Sequence, residues 1–384
     1  MAKPTPPNVG RFSMKLMIPG PVTTRPEVRA AAAQDFAPWD RDFAPLLAGV
    51  RARLLPIAGV HGATYACLPL QGSGHFGVEA ALRTFVPRGA KVLVPMTGAY
   101  ATRLVRLAKE AGREVVDLAV GEDAPANPAA VRDALARDRE IGHLAFVYSE
   151  TGTGIIHDAA ALAAAARAEG RRVIIDAVSA FGALPLDLAA MPEVDAIVFT
   201  PNKCLEGIPG LVFAIAPKER LIACCGQAES WCLDLADVYA HTERVGTGSF
   251  RFTPPAQAIS ALAAALDLFA AEGGRAARLE RYQANLRALY DGVLAIGLAP
   301  ALPRALQGPI VMNVLPPGDP RWDLQRFVDL LKRRGFLISN YYDTRLPTLR
   351  VGLIGALQPE DYRAAAVAMD SVLAELGIRN RKAA

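Results

Sequence analysis

Residues 171–204 read RRVIIDAVSAFGALPLDLAAMPEVDAIVFTPNKC. Two short apolar runs, Val173-Ile174-Ile175 and Ala196-Ile197-Val198-Phe199, end in polar residues: Asp176 closes the first, and Thr200-Pro201-Asn202-Lys203-Cys204 follows the second. Runs this short and this rich in β-branched residues read as strands buried on both faces, the kind a parallel sheet contains. Ligands of open α/β sheets bind outside the carboxyl ends of the strands. Asp176 and Lys203, 27 residues apart, therefore fall on one edge as candidates for one site.

Outward from this stretch the same alternation continues between Ala63 and Ala216. The predicted strands are Thr64 to Leu70, Lys91 to Pro95, Glu114 to Leu118, His143 to Tyr148, Arg172 to Asp176, Ala196 to Thr200 and Leu211 to Ile215. Amphipathic, alanine- and leucine-rich stretches predict helices over Phe76 to Phe85, Ala99 to Ala111, Pro128 to Ala136, Asp158 to Glu169, Ala256 to Ala271 and Arg278 to Ile296. Strands alternating with helices make an α/β protein with one large, mostly parallel seven-stranded sheet. After Gly297 the rhythm changes to an apolar run Ile310 to Leu315, an amphipathic stretch Asp323 to Arg334, short runs Phe336 to Ser339 and Thr348 to Val351, and a helix Pro359 to Leu376. The expected organisation is a flexible leader over residues 1–14, a large domain over 15–275 and a smaller α+β domain over 276–384.

Composition narrows the function classes. The 384 residues are 52% apolar and 21% charged, which suits a buried core and excludes wholesale disorder. A net charge of +4, scattered along the chain, offers no landing strip for nucleic acid or an anionic membrane. Five cysteines (Cys67, Cys204, Cys224, Cys225, Cys232) without a CxxC pair suggest neither a zinc site nor a disulfide framework, and fit a reducing compartment. His61, His143, His157 and His241 lack metal-ligand spacing and are expected to be structural. With no apolar segment of secretory or membrane-spanning length, a cytoplasmic location is expected.

The chemistry lies in three places. Gly72-Ser73-Gly74-His75-Phe76-Gly77 is a literal GxGxxG between a strand and a helix, where backbone N–H groups and the helix dipole favour an anion. It admits a dinucleotide, a plain tight turn or a cradle for a single phosphate. The acidic ribose anchor a dinucleotide site wants is missing, because the next strand runs into Met96-Thr97-Gly98. A lysine in a partly dry site can act as a Schiff-base amine. Lys203, Asp176 and the phosphate cradle together supply what pyridoxal phosphate needs: an amine for the aldehyde, a partner for the ring nitrogen and an anion site.

The stretches Ile18-Pro19-Gly20-Pro21-Val22-Thr23-Thr24, Gln71-Gly72-Ser73-Gly74, Ser149-Glu150-Thr151, Asp176-Ala177-Val178-Ser179-Ala180-Phe181-Gly182, Asn202 to Gly210 and Phe250-Arg251-Phe252-Thr253 resemble the 2-aminoethylphosphonate:pyruvate aminotransferase family. The resemblance spans nearly the whole chain after the leader. It implies a class V, fold-type I aminotransferase: a homodimer that holds pyridoxal 5'-phosphate at the subunit interface and uses 2-aminoethylphosphonate and pyruvate. By position it makes Lys203 the cofactor-bearing, proton-moving lysine and Asp176 the partner of the ring nitrogen. It gives Gly72, Ser73 and Gly74 the phosphate, with Thr253 reaching in from the partner subunit. Tyr100 would stack on the ring, Thr151 would bond near the ring oxygen, and Arg350, in Leu349-Arg350-Val351-Gly352, would bind the substrate anion.

Two positions depart from the pattern. His75 stands where the phosphonate enzymes more often carry a hydroxyl residue, a form reminiscent of the alanine:glyoxylate relatives, so an alanine- or serine:glyoxylate aminotransferase of the same fold is the alternative. Gly152 interrupts Ser149 to Gly154 where the family can carry a further threonine. A nicotinamide oxidoreductase using the GxGxxG is the competing class, distinguished by the absence of a borohydride-sensitive yellow chromophore.

Overall fold

The computed structural model describes residues 14–339 and 348–383. Residues 1–13 of the expected leader lie outside them.

All seven predicted strands form, each within two residues of its expected bounds: β2 (Tyr65–Gln71), β3 (Lys91–Met96), β4 (Glu114–Ala119), β5 (Ile141–Val147), β6 (Arg172–Asp176), β7 (Val194–Phe199) and β8 (Leu211–Pro217). They make one sheet in the order β2-β8-β7-β6-β5-β3-β4. Only β8 runs against its neighbours, antiparallel to both β2 and β7. Every residue of β7 and β8 is buried, which explains their apolar sequences, interrupted in β7 only by Asp195, which is paired with Arg172 and Arg220.

Helices cover both faces. One apolar core lies between the sheet and helices Phe43–Leu54, Pro128–Arg137, Ala159–Ala168 and Ala256–Glu272; a second lies under Gly74–Phe85, Ala99–Glu110 and Leu235–Val245. Local chemistry starts several of them: Asn127 accepts the Ala129 N–H at 2.9 Å, and Asp158 accepts that of Ala161 at 2.9 Å, each satisfying an otherwise orphaned donor. Four helices go unmarked in the sequence reading: Pro26–Ala31, Phe43–Leu54, Lys218–Ala223 and Leu235–Val245. The first and third are six residues long, and Pro45 and Gly49 interrupt the pattern of the second.

The C-terminal part has its own apolar core. β9 (Val311–Val314) pairs antiparallel with β11 (Leu349–Gly352), and helices Leu324–Arg333 and Pro359–Glu375 pack alongside. Residues 15–17, read as the start of the large domain, form β1 (Lys15–Met17), which pairs in parallel with β10 (Phe336–Ile338). Met17 is fully buried in the C-terminal core, and Lys15 forms an ion pair with Asp361, so burial and charge both hold this strand in the smaller unit. The expected break at 275/276 falls inside the long helix Gly274–Ala295, which connects the two units.

Candidate active site

Where β2, β6 and β7 end and β8 begins, the chain encloses a cavity of about 400 Å³ lined by Gly72, Ser73, Gly74, His75, Tyr100, Asp176, Val178, Thr200, Asn202, Lys203, Pro209 and Gly210. Its position follows from the topology. Pairing of Gln71 with Leu211 sets the turn after β2 beside the entry to β8, and the Gly72 N–H donates to the Gly210 carbonyl at 3.1 Å.

The glycines are needed for space. Gly72 has φ +145°, and a Cβ there would lie 2.8 Å from the Phe76 ring; one on Gly74 would lie 2.6 Å from Val178. Ser73 occupies the N-cap of helix Gly74–Phe85, yet its side chain makes no capping bond. A hydroxyl not engaged in capping therefore sits beside first-turn N–H groups that have no partner within the helix, a donor set suited to a phosphate.

Asp176 and Lys203 face each other's field in this cavity. The Asp176 carboxylate accepts the Val178 N–H at 2.9 Å. Burial pushes its pKa up to about 6, against the opposing pull of that N–H and of Lys203. Burial likewise pushes the Lys203 amine below its ordinary value; Arg350 acts in the same direction, while Tyr100, Cys204 and Asp176 oppose. A lysine biased towards its neutral form is the nucleophile and base that amine chemistry requires. Gly20 crosses directly over it: a Cβ there would meet Lys203 Cδ at 2.6 Å and Nζ at 2.7 Å. The neighbouring Cys204 turns away, fully buried, with its Sγ donating to the Ser179 carbonyl at 3.4 Å.

Tyr100 begins helix Ala99–Glu110 and forms one wall, its ring roughly parallel to that of His75, 6.3 Å away. Burial, Arg103 and Lys203 all push the His75 pKa down. Thr151 and Arg350 are buried and lie outside the lining set. The Thr151 hydroxyl donates to Ser179 Oγ at 2.7 Å, and Arg350 Nη1 donates to the Thr151 carbonyl at 3.2 Å. Thr253 lies in an adjoining cleft with Gln71, Phe76, Cys232 and Phe252.

The sequence reading assigned no site role to Thr200, Asn202, Val178, Pro209 and Gly210, although Thr200, Asn202 and Val178 adjoin or flank Lys203 and Asp176 in sequence. It also missed Glu150. This fully buried carboxylate accepts N–H bonds from Gly152 at 3.0 Å, Tyr100 at 3.3 Å and Ala101 at 3.4 Å, and burial pushes its pKa up to about 7. His143 and His157 are structural, as expected: His143 Nε2 meets Asp195 at 3.2 Å, and His157 Nδ1 accepts the Ala126 N–H at 3.0 Å. Among the described residues no His, Cys, Asp or Glu group is arranged to hold a metal, and no helix is long and apolar enough to cross a membrane.

An α/β sheet that gathers a lysine, a carboxylate and a Gly-Ser-Gly turn around one cavity is the architecture of a pyridoxal-phosphate enzyme, and the lining set fits the group: helix-start N–H groups and a hydroxyl for the phosphate, a carboxylate for the ring nitrogen and an amine for the aldehyde. The chain belongs to the class-V aminotransferase family, whose pattern matches residues 57–318. It is 45% identical over 363 residues to a 2-aminoethylphosphonate--pyruvate transaminase of Burkholderia ambifaria, covering 94% of this chain and 96% of that one. A transaminase of the same name from Burkholderia lata is 43% identical over 96% of this chain and 99% of its own. Among solved structures, pyridoxamine-pyruvate aminotransferase from Mesorhizobium loti superposes with a TM-score of 0.86 at 25% identity, covering 96% of this chain and 93% of that one. Alanine--glyoxylate aminotransferase from Nostoc sp. shares the fold with a TM-score of 0.85 at 24% identity, covering 97% of each chain.

Proposed function

We propose that this chain transfers the amino group of 2-aminoethylphosphonate to pyruvate, giving phosphonoacetaldehyde and alanine, as a cytoplasmic homodimer. The observation that carries the reading is that Lys203, Asp176 and Gly72-Ser73-Gly74 line one cavity; the relatives' names supply the substrate pair. When bound, pyridoxal phosphate supplies an aldehyde that exchanges amines and a protonated ring that absorbs negative charge from the amino-bearing carbon.

The protein's residues do the rest. Ser73 and the N–H groups at the start of helix Gly74–Phe85 would hold the phosphate, and Asp176 would accept the N–H of the protonated ring nitrogen. Tyr100, on the cavity wall, would flank the ring. Lys203 would be the amine that holds the cofactor's aldehyde, and its Nζ would move the proton at the carbon bearing nitrogen, in one direction with the donor and in the other with pyruvate. Arg350 presents a planar guanidinium to the phosphonate or carboxylate through paired hydrogen bonds. Thr151 would bond near the ring oxygen, and Thr253 would complete the phosphate end of the other copy's cavity. A second copy also accounts for Trp231 and Phe252, 70% and 50% exposed and packed edge to face beside Thr253.

A second reading, alanine or serine with glyoxylate, is favoured by His75 on the cavity wall. A donor and acceptor screen with product identification separates the two. Conversion of 2-aminoethylphosphonate with pyruvate supports the first. Turnover confined to alanine or serine with glyoxylate rejects it. Borohydride trapping of the cofactor on Lys203, lost in Lys203→Ala, tests the machinery they share.

A further inference from the structure

Beneath the cavity lies a buried polar network that none of these roles uses. Glu206, three residues after Lys203, has φ +60°, a conformation sparsely populated by residues with a Cβ. Its N–H donates to the Lys203 carbonyl at 3.0 Å, closing a tight loop. Its side chain, almost wholly buried, receives Arg281 Nη2 at 2.6 Å and the Tyr282 hydroxyl at 2.8 Å, with Arg278 Nη1 at 3.5 Å. Arg278 also donates to the Cys204 carbonyl at 2.5 Å. All three partners sit on the long helix Gly274–Ala295, and Glu272, the last residue of the preceding helix, balances the second positive charge at 2.8 Å from Arg278 and 2.7 Å from Arg281.

The same side chains reach the smaller unit. Arg281 Nη1 donates to the carbonyls of Gly355 at 2.7 Å and Leu357 at 3.0 Å, and the Tyr282 hydroxyl accepts the Gly355 N–H at 3.3 Å. Asn285, one turn on, donates to the Leu353 carbonyl at 3.0 Å. The segment Leu353–Leu357 leaves directly from β11, which carries Arg350. One carboxylate therefore joins the loop holding the reactive amine to the strand holding the candidate substrate anchor.

We propose that Glu206 is a positioning residue: through Arg281 and Tyr282 it fixes the Lys203 loop against the segment following Arg350, so that amine and substrate anchor keep one spacing. This rests on the roles of Lys203 and Arg350 given above. A buried ion quartet that served stability alone would make no demand on that spacing.

The test compares Glu206→Gln and Glu206→Ala with Asp195→Asn in the cofactor-loaded protein. Asp195 supplies a matched control, fully buried between Arg172 at 2.5 Å and Arg220 at 2.7 Å on β7, at the end remote from Lys203. Thermal melts, kcat, donor KM and visible circular dichroism of the bound cofactor are measured. The expected result is that Glu206→Ala keeps cofactor yet loses on the order of 10- to 100-fold in kcat, as displacement of a reacting group by about 1 Å does. Its donor KM should rise and its visible dichroism change, with Glu206→Gln intermediate, while Asp195→Asn lowers the melting temperature only. Glu206 variants that melt early but keep kcat, donor KM and dichroism within twofold of wild type would overturn the proposal. If Glu206→Ala does not fold, Glu206→Gln alone decides. Wild-type protein with no borohydride-trappable cofactor would instead overturn the underlying reading of the cavity.

Discussion

Gly20→Ala should disable the enzyme far more than it destabilises it. A methyl group at Gly20 would sit 2.6 to 2.7 Å from Lys203 Cδ, Cε and Nζ, whereas carbon contacts settle at about 3.5–4.0 Å. Relieving the overlap takes a movement of about 1 Å, and the lysine is the flexible party, so the amine moves. Misplacing a reacting group by that distance costs about 10²-fold in rate, or about 2.7 kcal/mol of transition-state stabilisation. Backbone strain at φ +145° adds a separate folding cost of about 1–3 kcal/mol. Gly170→Ala controls for adding a methyl group at a positive-φ glycine without a clash, because Gly170 has φ +69° and nothing within 4 Å of its would-be Cβ. Both variants should melt early, but only Gly20→Ala should lose kcat in a steady-state assay of phosphonoacetaldehyde formation. A Gly20→Ala protein with kcat within twofold of Gly170→Ala would refute the argument that Gly20 is there to make room for Lys203.

Three further outcomes follow from the same geometry. The Asp176 carboxyl is raised from 3.8 to about 6 by burial, so the folded state favours its protonated form and loses stability as pH rises through that window. Cofactor-free Asp176→Asn should therefore be more stable than wild type by up to about 3 kcal/mol at pH 8 and unchanged at pH 3, by urea denaturation, while transamination collapses. Glu150→Ala leaves three N–H groups without their acceptor, including those that orient Tyr100, and should cost about 2 kcal/mol, whereas Glu150→Gln keeps an acceptor and should lose much less in thermal melts. Phe199 is fully buried on β7, with ring centroids of Phe181 at 3.6 Å and Phe213 at 5.6 Å; Phe199→Ala should cost about 3–5 kcal/mol, read from the denaturant midpoint.

The seven strands were legible because each is a short local run of apolar residues, several of them buried on both faces, although the edge strand β4 is only partly covered. Their order was not. That β8 runs antiparallel between β2 and β7 depends on pairings such as Gln71 with Leu211, 140 residues apart. The helix Leu235–Val245 escaped for a related reason: its start depends on Asp234, which accepts the Ala236 N–H at 2.8 Å, and on Thr84, whose hydroxyl receives the Leu235 N–H at 2.9 Å from far along the chain.

By itself the sequence determined the α/β class, the sheet edge bearing Asp176 and Lys203, and the Gly-Ser-Gly turn, since each is written in contiguous residues whose pattern reflects burial and backbone freedom. Only the tertiary structure decided that Lys15–Met17 belongs with the C-terminal strands, that Thr253 opens into a neighbouring cleft, and that Gly20, Glu150 and Glu206 surround the reacting groups. Those contacts join residues remote in the chain, and such proximity is selected by the packing of whole elements, which no local pattern encodes.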